Sequence, residues 1–146
     1  MPVSIRPLEP QDKDAWLPLW RGYLEFYGTA VPDEVTEATW RRIVDPAGPI
    51  HGFCAVDADG KLIGIVHYLF HPVTWAMSDR CYLEDLFVSP DARGSGAGRA
   101  LIEAVYRAAD ERGADQVYWL TAHSNATARK LYDRVAQLTP FVKYRR

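Results

Sequence analysis

The residues best suited to chemistry in this sequence begin with a glycine-rich turn, Arg93-Gly94-Ser95-Gly96-Ala97-Gly98. A turn of this kind between a strand and a helix presents unpaired backbone N–H groups at the positive end of the helix dipole, where phosphate binds. Glycine permits a positive φ and a close approach of the backbone to an anion, and Arg93 adds a charge for a phosphate oxygen. The turn therefore predicts an anion site, with a merely flexible loop as the alternative.

Two rival phosphate motifs do not match this turn. A P-loop ends in glycine, lysine and then serine or threonine, whereas this turn continues Ala97-Gly98-Arg99-Ala100. A dinucleotide fingerprint needs a glycine three residues after its second one, and the two possible registers place Arg99 and Leu101 there. Both motifs are excluded, although nucleotide binding through the same glycines stays open as a hypothesis.

A carboxylate in an apolar strand is the second chemical feature. Glu84 lies among tyrosine, leucine, phenylalanine and valine in residues 82–88, where burying a charge is costly unless it is paired. Such a group can attract a protonated amine and accept its proton, or can only fix a cation. A regular strand would turn the neighbouring Asp85 to the opposite face, unless a bulge intervenes. For both acids, pairing with Arg80 or with backbone donors is the alternative.

The elements that must position these residues follow from hydrophobic periodicity and turn signals. The first half predicts a strand at 3–7, a helix at 12–27 that Pro18 kinks or restarts, a helix at 33–44, and antiparallel strands at 51–56 and 62–70. The second half predicts a strand at 80–88, a helix at 96–112 ended by Gly113, a strand at 116–121, a helix at 126–135 and a terminal strand at 141–144. The order indicates a mixed α/β fold.

Length and composition limit the class of protein. A chain of 146 residues with 48% hydrophobic and 25% charged residues predicts one domain over 1–146 and no transmembrane segment. The N-terminal residues do not resemble a secretory signal, so we expect a cytoplasmic protein. A net charge of -2 argues against nucleic acid as a partner. Cys54 and Cys81 lack metal-ligand spacing, so we expect no metal and two reduced, partly buried thiols.

Three motifs in a fixed order resemble the GNAT superfamily of Gcn5-related N-acetyltransferases. They are the strand Tyr82-Leu83-Glu84-Asp85-Leu86-Phe87-Val88, the spacing of Arg93, Gly96 and Gly98, and Asn125 followed seven residues later by Tyr132. The resemblance is continuous from about residue 80 to 132 and weaker before it. It implies the GNAT fold, a mixed, mostly antiparallel sheet with a splayed parallel central strand pair and about four flanking helices.

The resemblance implies acetyl-CoA as acyl donor and direct attack by an amine in a ternary complex. In this family the splayed strand pairs with the pantetheine arm, which implies Leu86, Phe87 and Val88, and a backbone N–H of Phe87 or a neighbour polarises the thioester. The expected cofactor contacts further include Arg93, Gly94, Ser95, Gly96, Ala97, Gly98, Arg99 and Asn125. Arg129 and Lys130 are further candidates for the remaining phosphate, and Asn125 can instead cap its helix. Glu84 is the expected general base and Tyr132 the donor of a proton to the leaving thiolate, although Tyr132 can instead be a core aromatic.

The acceptor is less defined by the sequence. The strand, the Tyr118-Trp119 pair and the basic C-terminus most resemble enzymes that acetylate polyamines, histone tails or lysine-like amines. We expect a small-molecule amine or basic peptide as acceptor, with polyamine, lysine side chain, peptide tail and aminoglycoside all open. Residues 141–146 are expected as a strand for a homodimer or else as an ordinary edge strand. A catalytically silent acyl-CoA-binding module is the competing hypothesis. His67, His71 and His123 receive no catalytic role. The aromatic residues expected mostly in the core are Trp16, Trp20, Tyr23, Tyr27, Tyr68 and Trp75, some of which could line an acceptor pocket.

Overall fold

The computed structural model describes residues 2–146; Met1, the first residue of the N-terminal stretch considered above, lies outside them. Its strands and helices are β1 (Ser4–Pro7), α1 (Lys13–Phe26), α2 (Asp33–Val44), β2 (Ile50–Val56), β3 (Leu62–Pro72), β4 (Asp79–Val88), α3 (Ala97–Arg112), β5 (Val117–Tyr118) and α4 (Ala126–Val135). Short 3-10 turns precede α1 and follow β4. The order confirms the α/β prediction. Within residues 2–146, no helix is both long and apolar enough to cross a membrane.

The five strands form one sheet in the order β1-β2-β3-β4-β5. The first four are antiparallel, and β5 runs parallel to β4 but pairs with it only at Cys81 with Val117 and at Tyr82 with Tyr118. Beyond Tyr82 the two strands separate, so the remainder of β4 has an open edge. This confirms the predicted splayed pair, and it explains why β5 is shorter than the strand expected at 116–121.

The two faces of the sheet bury separate hydrophobic clusters. Helix α3 covers one face, where Leu101, Ile102 and Val105 pack against strand residues and define the α3 core. Helices α1 and α2 cover the other face, where Trp16, Trp20 and Trp40 define the tryptophan core. The free thiols of Cys54 and Cys81 are fully buried, one in each cluster, rather than partly buried as expected.

Three features differ from the sequence-based predictions. Pro18 does not restart the helix but lies inside a continuous α1, where it and Asp14, whose carbonyl loses its helical donor, are both exposed to solvent; a kink at Pro18 stays a prediction. The terminal strand at 141–144 is not formed, since a strand needs a partner and this segment pairs with none in the part of the chain described. Trp75, expected in the core, is 85% exposed between β3 and β4, and Tyr27 is 42% exposed.

Candidate active site

A β-bulge in β4 places two carboxylates on one face of the sheet. In the pairing of β3 with β4, His67 lies opposite Asp85 and Tyr68 opposite Leu83, so Glu84 is an extra residue without a partner. Leu83 and Leu86 both pack on the α3 core, which shows that the alternation of faces shifts by one residue between them. Glu84 and Asp85 therefore both face α1. The expectation that Asp85 points away from Glu84 holds only for a regular strand, and it is wrong here.

Asp85 is held by groups from two neighbouring elements. Its Oδ2 accepts a hydrogen bond from Nδ1 of His67 on β3 at 2.9 Å. The phenol of Tyr23 on α1 lies near it, and the pKa of Tyr23 is raised well above its ordinary value by burial first and then by the charge of Asp85. Arg80 instead pairs with Asp115, at 2.7 Å between Nη2 and Oδ2. The alternative in which Arg80 pairs with the two acids is therefore wrong.

Glu84 is the carboxylate left free to react. The structure gives it no ion pair within residues 2–146. Solvent reaches its side chain, yet its pKa is raised, first by desolvation and second by the negative charge of Asp85, whereas a positive charge on His67 would act in the opposite direction. A carboxylate with a raised pKa is a stronger base than usual, and it gains most from an approaching cation.

Tyr132 lies on α4 with its ring edge-on to Trp119, at a centroid distance of 5.4 Å. Burial, and secondly Tyr27, raise the pKa of its phenol to about 12, so the hydroxyl keeps its proton at neutral pH. Tyr27 directly follows α1, the helix that also contributes Tyr23 beside Asp85. The Tyr132 phenol therefore lies near Tyr27, at the C-terminal end of α1. The geometry permits both the expected proton donor and a packing role.

The glycine-rich turn has the form of an anion site. Gly94 and Gly96 have φ of 84° and 83°, and α3 begins directly after Gly96. Within residues 2–146, the N–H groups of Gly94, Gly96, Gly98 and Arg99 find no protein acceptor. Several free amides at a helix N-terminus suit a pyrophosphate.

Two of the amides expected to bind phosphate are already used. The N–H of Ser95 donates to the carbonyl of Ala92 at 3.2 Å, and that of Ala97 to the hydroxyl of Ser95 at 3.3 Å. Gly98 lies next to α4, where an added Cβ would make a close van der Waals contact, at 3.4 Å, with Cδ2 of Leu131. The guanidinium of Arg93 is exposed at the start of the turn. Four of the six predicted amide donors are therefore free, and the contacts of all six residues with the cofactor stay a prediction.

Gly96→Ala is expected to weaken the binding of CoA. A left-handed conformation costs a residue with a Cβ about 1–2 kcal/mol, and relief of that strain would turn the neighbouring amides away. Because an added Cβ meets nothing within 4 Å, the fold itself should tolerate the change. Calorimetric titration with CoA should show about tenfold weaker binding. Ala100→Gly, in the same helix beyond the free amides, is the control; equal CoA affinity in wild type and Gly96→Ala would contradict the assignment.

The open edge of β4 offers backbone groups to an extended ligand. Ser89 donates its N–H to Ile63 on β3, and in an antiparallel pair such bonds recur at every second residue. Phe87 therefore bonds to β3, while the N–H and C=O groups of Leu86 and Val88 face the gap beside β5. Of the donors expected from the sequence, Phe87 or a neighbour, the neighbours Leu86 and Val88 are those whose N–H groups are free, and their contact with the thioester stays a prediction. The Phe87 ring packs instead against Gly22, where a Cβ would lie 2.8 Å from it.

The remaining residues predicted to contact the cofactor include Asn125 and Arg129 at α4 and Arg99 on α3. Asn125 occupies the N-cap position of α4 but makes no capping hydrogen bond, and its Nδ2 donates to Oγ1 of Thr121 at 3.0 Å. The capping alternative is therefore wrong, and a contact with the cofactor stays a prediction. Arg129 donates to the carbonyl of His123 at 2.8 Å, and Arg99 lies 3.7 Å from Glu103. Both are exposed enough to turn toward a phosphate.

His67 is the residue that the sequence-based reasoning missed. It is 1% exposed, and both ring nitrogens are hydrogen-bonded, to Asp85 and to Nε1 of Trp16. The one signal was a histidine inside the apolar run of β3, because a buried polar side chain needs partners. Its partners lie 18 and 51 residues away, so no local motif could reveal them.

The sequence of this chain is similar to those of known acetyltransferases. The family model described as acetyltransferase (GNAT) family matches residues 15–136. A D-amino-acid N-acetyltransferase of Saccharomyces cerevisiae is 42% identical over 145 residues, which cover 99% of this chain and 90% of the relative. A thialysine N-epsilon-acetyltransferase of Bos taurus is 34% identical over 71 residues, covering 49% of this chain and 41% of the relative. The chain is similar to both.

Solved structures agree with the sequence relatives. The aminoglycoside N-acetyltransferase AAC(6')-Iy in complex with CoA superposes with a TM-score of 0.84 at 25% identity, covering 99% of this chain and 94% of that one. The same enzyme with a CoA-linked bisubstrate analogue gives a TM-score of 0.85 over 100% and 98% of the two chains. The fold of this chain is therefore similar, over its whole length, to that of an enzyme solved with CoA.

Proposed function

This chain belongs to the acetyltransferase (GNAT) family and is an N-acetyltransferase, and from that premise we propose that it transfers the acetyl group of acetyl-CoA to a cationic primary amine. The observation that carries the proposal is the bulge in β4. It turns Glu84 and Asp85 to the same face, beside Tyr23. Two carboxylates at one place attract an ammonium group and leave one of them free to accept a proton.

The residues present fit acetyl-CoA as donor. The free amides of Gly94, Gly96, Gly98 and Arg99 would hold its pyrophosphate, with Arg93 adding positive charge. The free backbone groups of Leu86 and Val88 would pair with the pantetheine arm. When bound, acetyl-CoA supplies a thioester, whose carbonyl carbon forms a C–N bond with the amine as its C–S bond breaks.

Glu84 and Tyr132 would accept and donate the protons that this acetyl transfer requires. An alkylamine with a pKa near 10.4, as in lysine, is almost wholly protonated at neutral pH and must lose a proton before it can attack. Glu84 would take that proton, directly or through water, and its raised pKa suits the task. The Tyr132 hydroxyl, protonated at neutral pH, would give a proton to the departing sulfur. The N–H of Leu86 or Val88 would polarise the thioester oxygen.

The acceptor class follows from charge. A polyamine or a lysine-like amine presents only positive charge near its reacting nitrogen, whereas an α-amino acid brings a carboxylate close to it. Glu84 and Asp85 would repel that carboxylate. The D-amino-acid enzyme at 42% identity makes D-amino acids the natural competing acceptors.

An acceptor panel tests the proposal. Purified protein with acetyl-CoA is offered spermidine, Nα-acetyl-lysine amide, a basic peptide and several D-amino acids, and thiol release is followed. We expect kcat/KM for the cationic amines to exceed that for the D-amino acids by about tenfold or more, an electrostatic preference of about 1.4 kcal/mol. A preference for D-amino acids would contradict the acceptor class and leave the transfer chemistry intact.

We also propose that the chain forms a homodimer through its C-terminal segment, residues 141–146. In this segment, Phe141, Val142 and Tyr144 are each at least 75% exposed. Strand β5 ends the sheet with a free outer edge to which a strand from a second copy can add. Sedimentation should show a dimer that Phe141→Asp converts to monomer, while Lys61→Asp, a change of charge at an exposed turn residue outside the segment, serves as control. A monomeric wild type would overturn the assembly.

A further inference from the structure

We infer that His67 is a positioning residue that fixes the carboxylate of Asp85 for recognition of the acceptor ammonium, an inference that rests on the proposed function. The residue lies on β3 directly opposite Asp85, at the bulge that exposes Glu84. It does not itself reach the acceptor, because it is almost completely buried. Its effect would pass entirely through Asp85.

The hydrogen bonds of His67 define its tautomer. Nε1 of Trp16 lies 3.0 Å from Nε2 of His67, and an indole N–H can only donate. Nε2 must therefore accept, which places the proton of a neutral imidazole on Nδ1. From there it is donated to Oδ2 of Asp85 at 2.9 Å. Trp16, His67 and Asp85 form one directed chain of hydrogen bonds from the tryptophan core to the site.

This chain of hydrogen bonds favours the uncharged imidazole, because Nε2 faces the N–H of Trp16 and has to act as an acceptor. A doubly protonated ring would point a second N–H at the N–H of Trp16, which is 0% exposed and offers no acceptor. The carboxylates of Asp85 and Glu84 attract a proton to the ring, and the Tyr23 phenol also lies on this face; from α1, the Trp20 ring packs 5.7 Å from the imidazole. The buried clash of two donors opposes that attraction.

A neutral His67 determines the charge of the site. An imidazolium would cancel the charge of Asp85, whereas the neutral ring orients that carboxylate and leaves its charge in place. Glu84 and Asp85 then repel each other, consistent with Asp85 being the second cause of the raised pKa of Glu84. An ammonium group bound between them would relieve that repulsion. The site thereby gains affinity for a cation that a single carboxylate would lack.

Neighbouring residues leave space for the imidazole of His67 and restrict its movement. Gly52 on β2 lies opposite His67, and a Cβ there would come within 3.4 Å of Cδ2 of the imidazole and 2.7 Å of Leu8. Trp16 is held in turn by Trp20 and Trp40, at centroid distances of 5.6 Å and 4.8 Å. Packing therefore restricts the orientation of the imidazole, as is required of a side chain that orients another one.

Two variants of His67 test the inference by steady-state kinetics. His67→Leu introduces an apolar side chain of similar size and removes both hydrogen bonds. His67→Gln retains one donor and one acceptor, and its amide cannot be protonated. We expect His67→Leu to raise the amine KM about tenfold with the KM of acetyl-CoA unchanged, and His67→Gln to recover part of the loss. His51→Leu, a histidine on β2 with no contact to Asp85, is the matched control. Unchanged amine KM in His67→Leu would overturn the inference.

Nitrogen NMR of the wild type supplies a readout that does not depend on the variants folding. We expect the His67 ring to show the Nδ1–H tautomer at neutral pH, because Nε2 must accept the hydrogen bond that Trp16 donates. An imidazolium signal, or the Nε2–H tautomer, would overturn the inference. Failure of the wild type to acetylate any amine would instead refute the proposed function, so the two failures are distinguishable.

Discussion

Glu84→Gln is expected to lower kcat/KM for a cationic amine by about 100-fold or more, the usual contribution of a positioned general base. Glutamine keeps the size of the side chain but neither accepts a proton from an ammonium group nor carries the charge that attracts it. The loss should appear mainly in kcat if Glu84 removes the proton, and mainly in the amine KM if it only binds the cation. Steady-state kinetics with the amine varied at saturating acetyl-CoA separates the two roles.

The control for this variant is Glu111→Gln, an exposed carboxylate in the last turn of α3. We expect it to keep wild-type kinetics. Glu84→Gln should fold normally, because a carboxyl whose pKa is raised in the folded state contributes least to stability once pH exceeds that pKa. At neutral pH the substitution should leave the thermal midpoint unchanged or slightly higher. A loss of stability with unchanged kinetics would contradict the role given to Glu84.

The same carboxyl sets the direction of a pH effect. A base must be ionised to accept a proton, so kcat/KM should rise with pH through the pKa of Glu84. Desolvation and Asp85 raise that pKa, and the rising limb should therefore lie above the range of an ordinary glutamate. Glu84→Gln should abolish this limb.

Tyr132→Phe is expected to lower kcat by about 100-fold, with the affinity for acetyl-CoA nearly unchanged. The substitution removes only the hydroxyl, while the ring keeps its packing against Trp119. Without a proton donor the sulfur must leave as a thiolate, so the step that breaks the C–S bond slows. Measurement of kcat alongside calorimetric CoA binding distinguishes lost chemistry from lost binding.

Tyr144→Phe is the matched control, because its ring is 92% exposed in the C-terminal segment. It should retain wild-type kcat. If Tyr132→Phe also retained it, Tyr132 would be a packing residue, which was the alternative considered from the sequence. A fall in stability without a fall in kcat would lead to the same conclusion.

The sequence could predict those features that depend on neighbouring residues. Periodicity and turn chemistry placed α2 at 33–44 and α4 at 126–135 with the bounds observed. The turn at Arg93 and its place between a strand and a helix are likewise local, so an anion site could be inferred from them alone. The α/β fold followed from the order of these elements.

The features that the sequence could not predict depend on contacts between distant segments. The bulge at Glu84 exists only in the pairing of β3 with β4, and it reverses the face of Asp85. The proposed role of His67 depends on its hydrogen bonds with Trp16 and Asp85, neither of which is near it in sequence. Residues 141–144 have strand-forming side chains, yet they lack a partner strand in the described chain. In each case local preference is overridden by which segments meet.

The most direct test of the account is the stoichiometry of acetyl transfer by the wild-type protein. Acetyl-CoA and spermidine are incubated with the enzyme, and free thiol and acetylated amine are measured together, the product by mass spectrometry. We expect one acetylated amine for every thiol released, at a rate far above hydrolysis without the amine. Thiol release that is independent of the amine, or no release with any acceptor despite tight CoA binding, would contradict the account and favour a silent acyl-CoA-binding module.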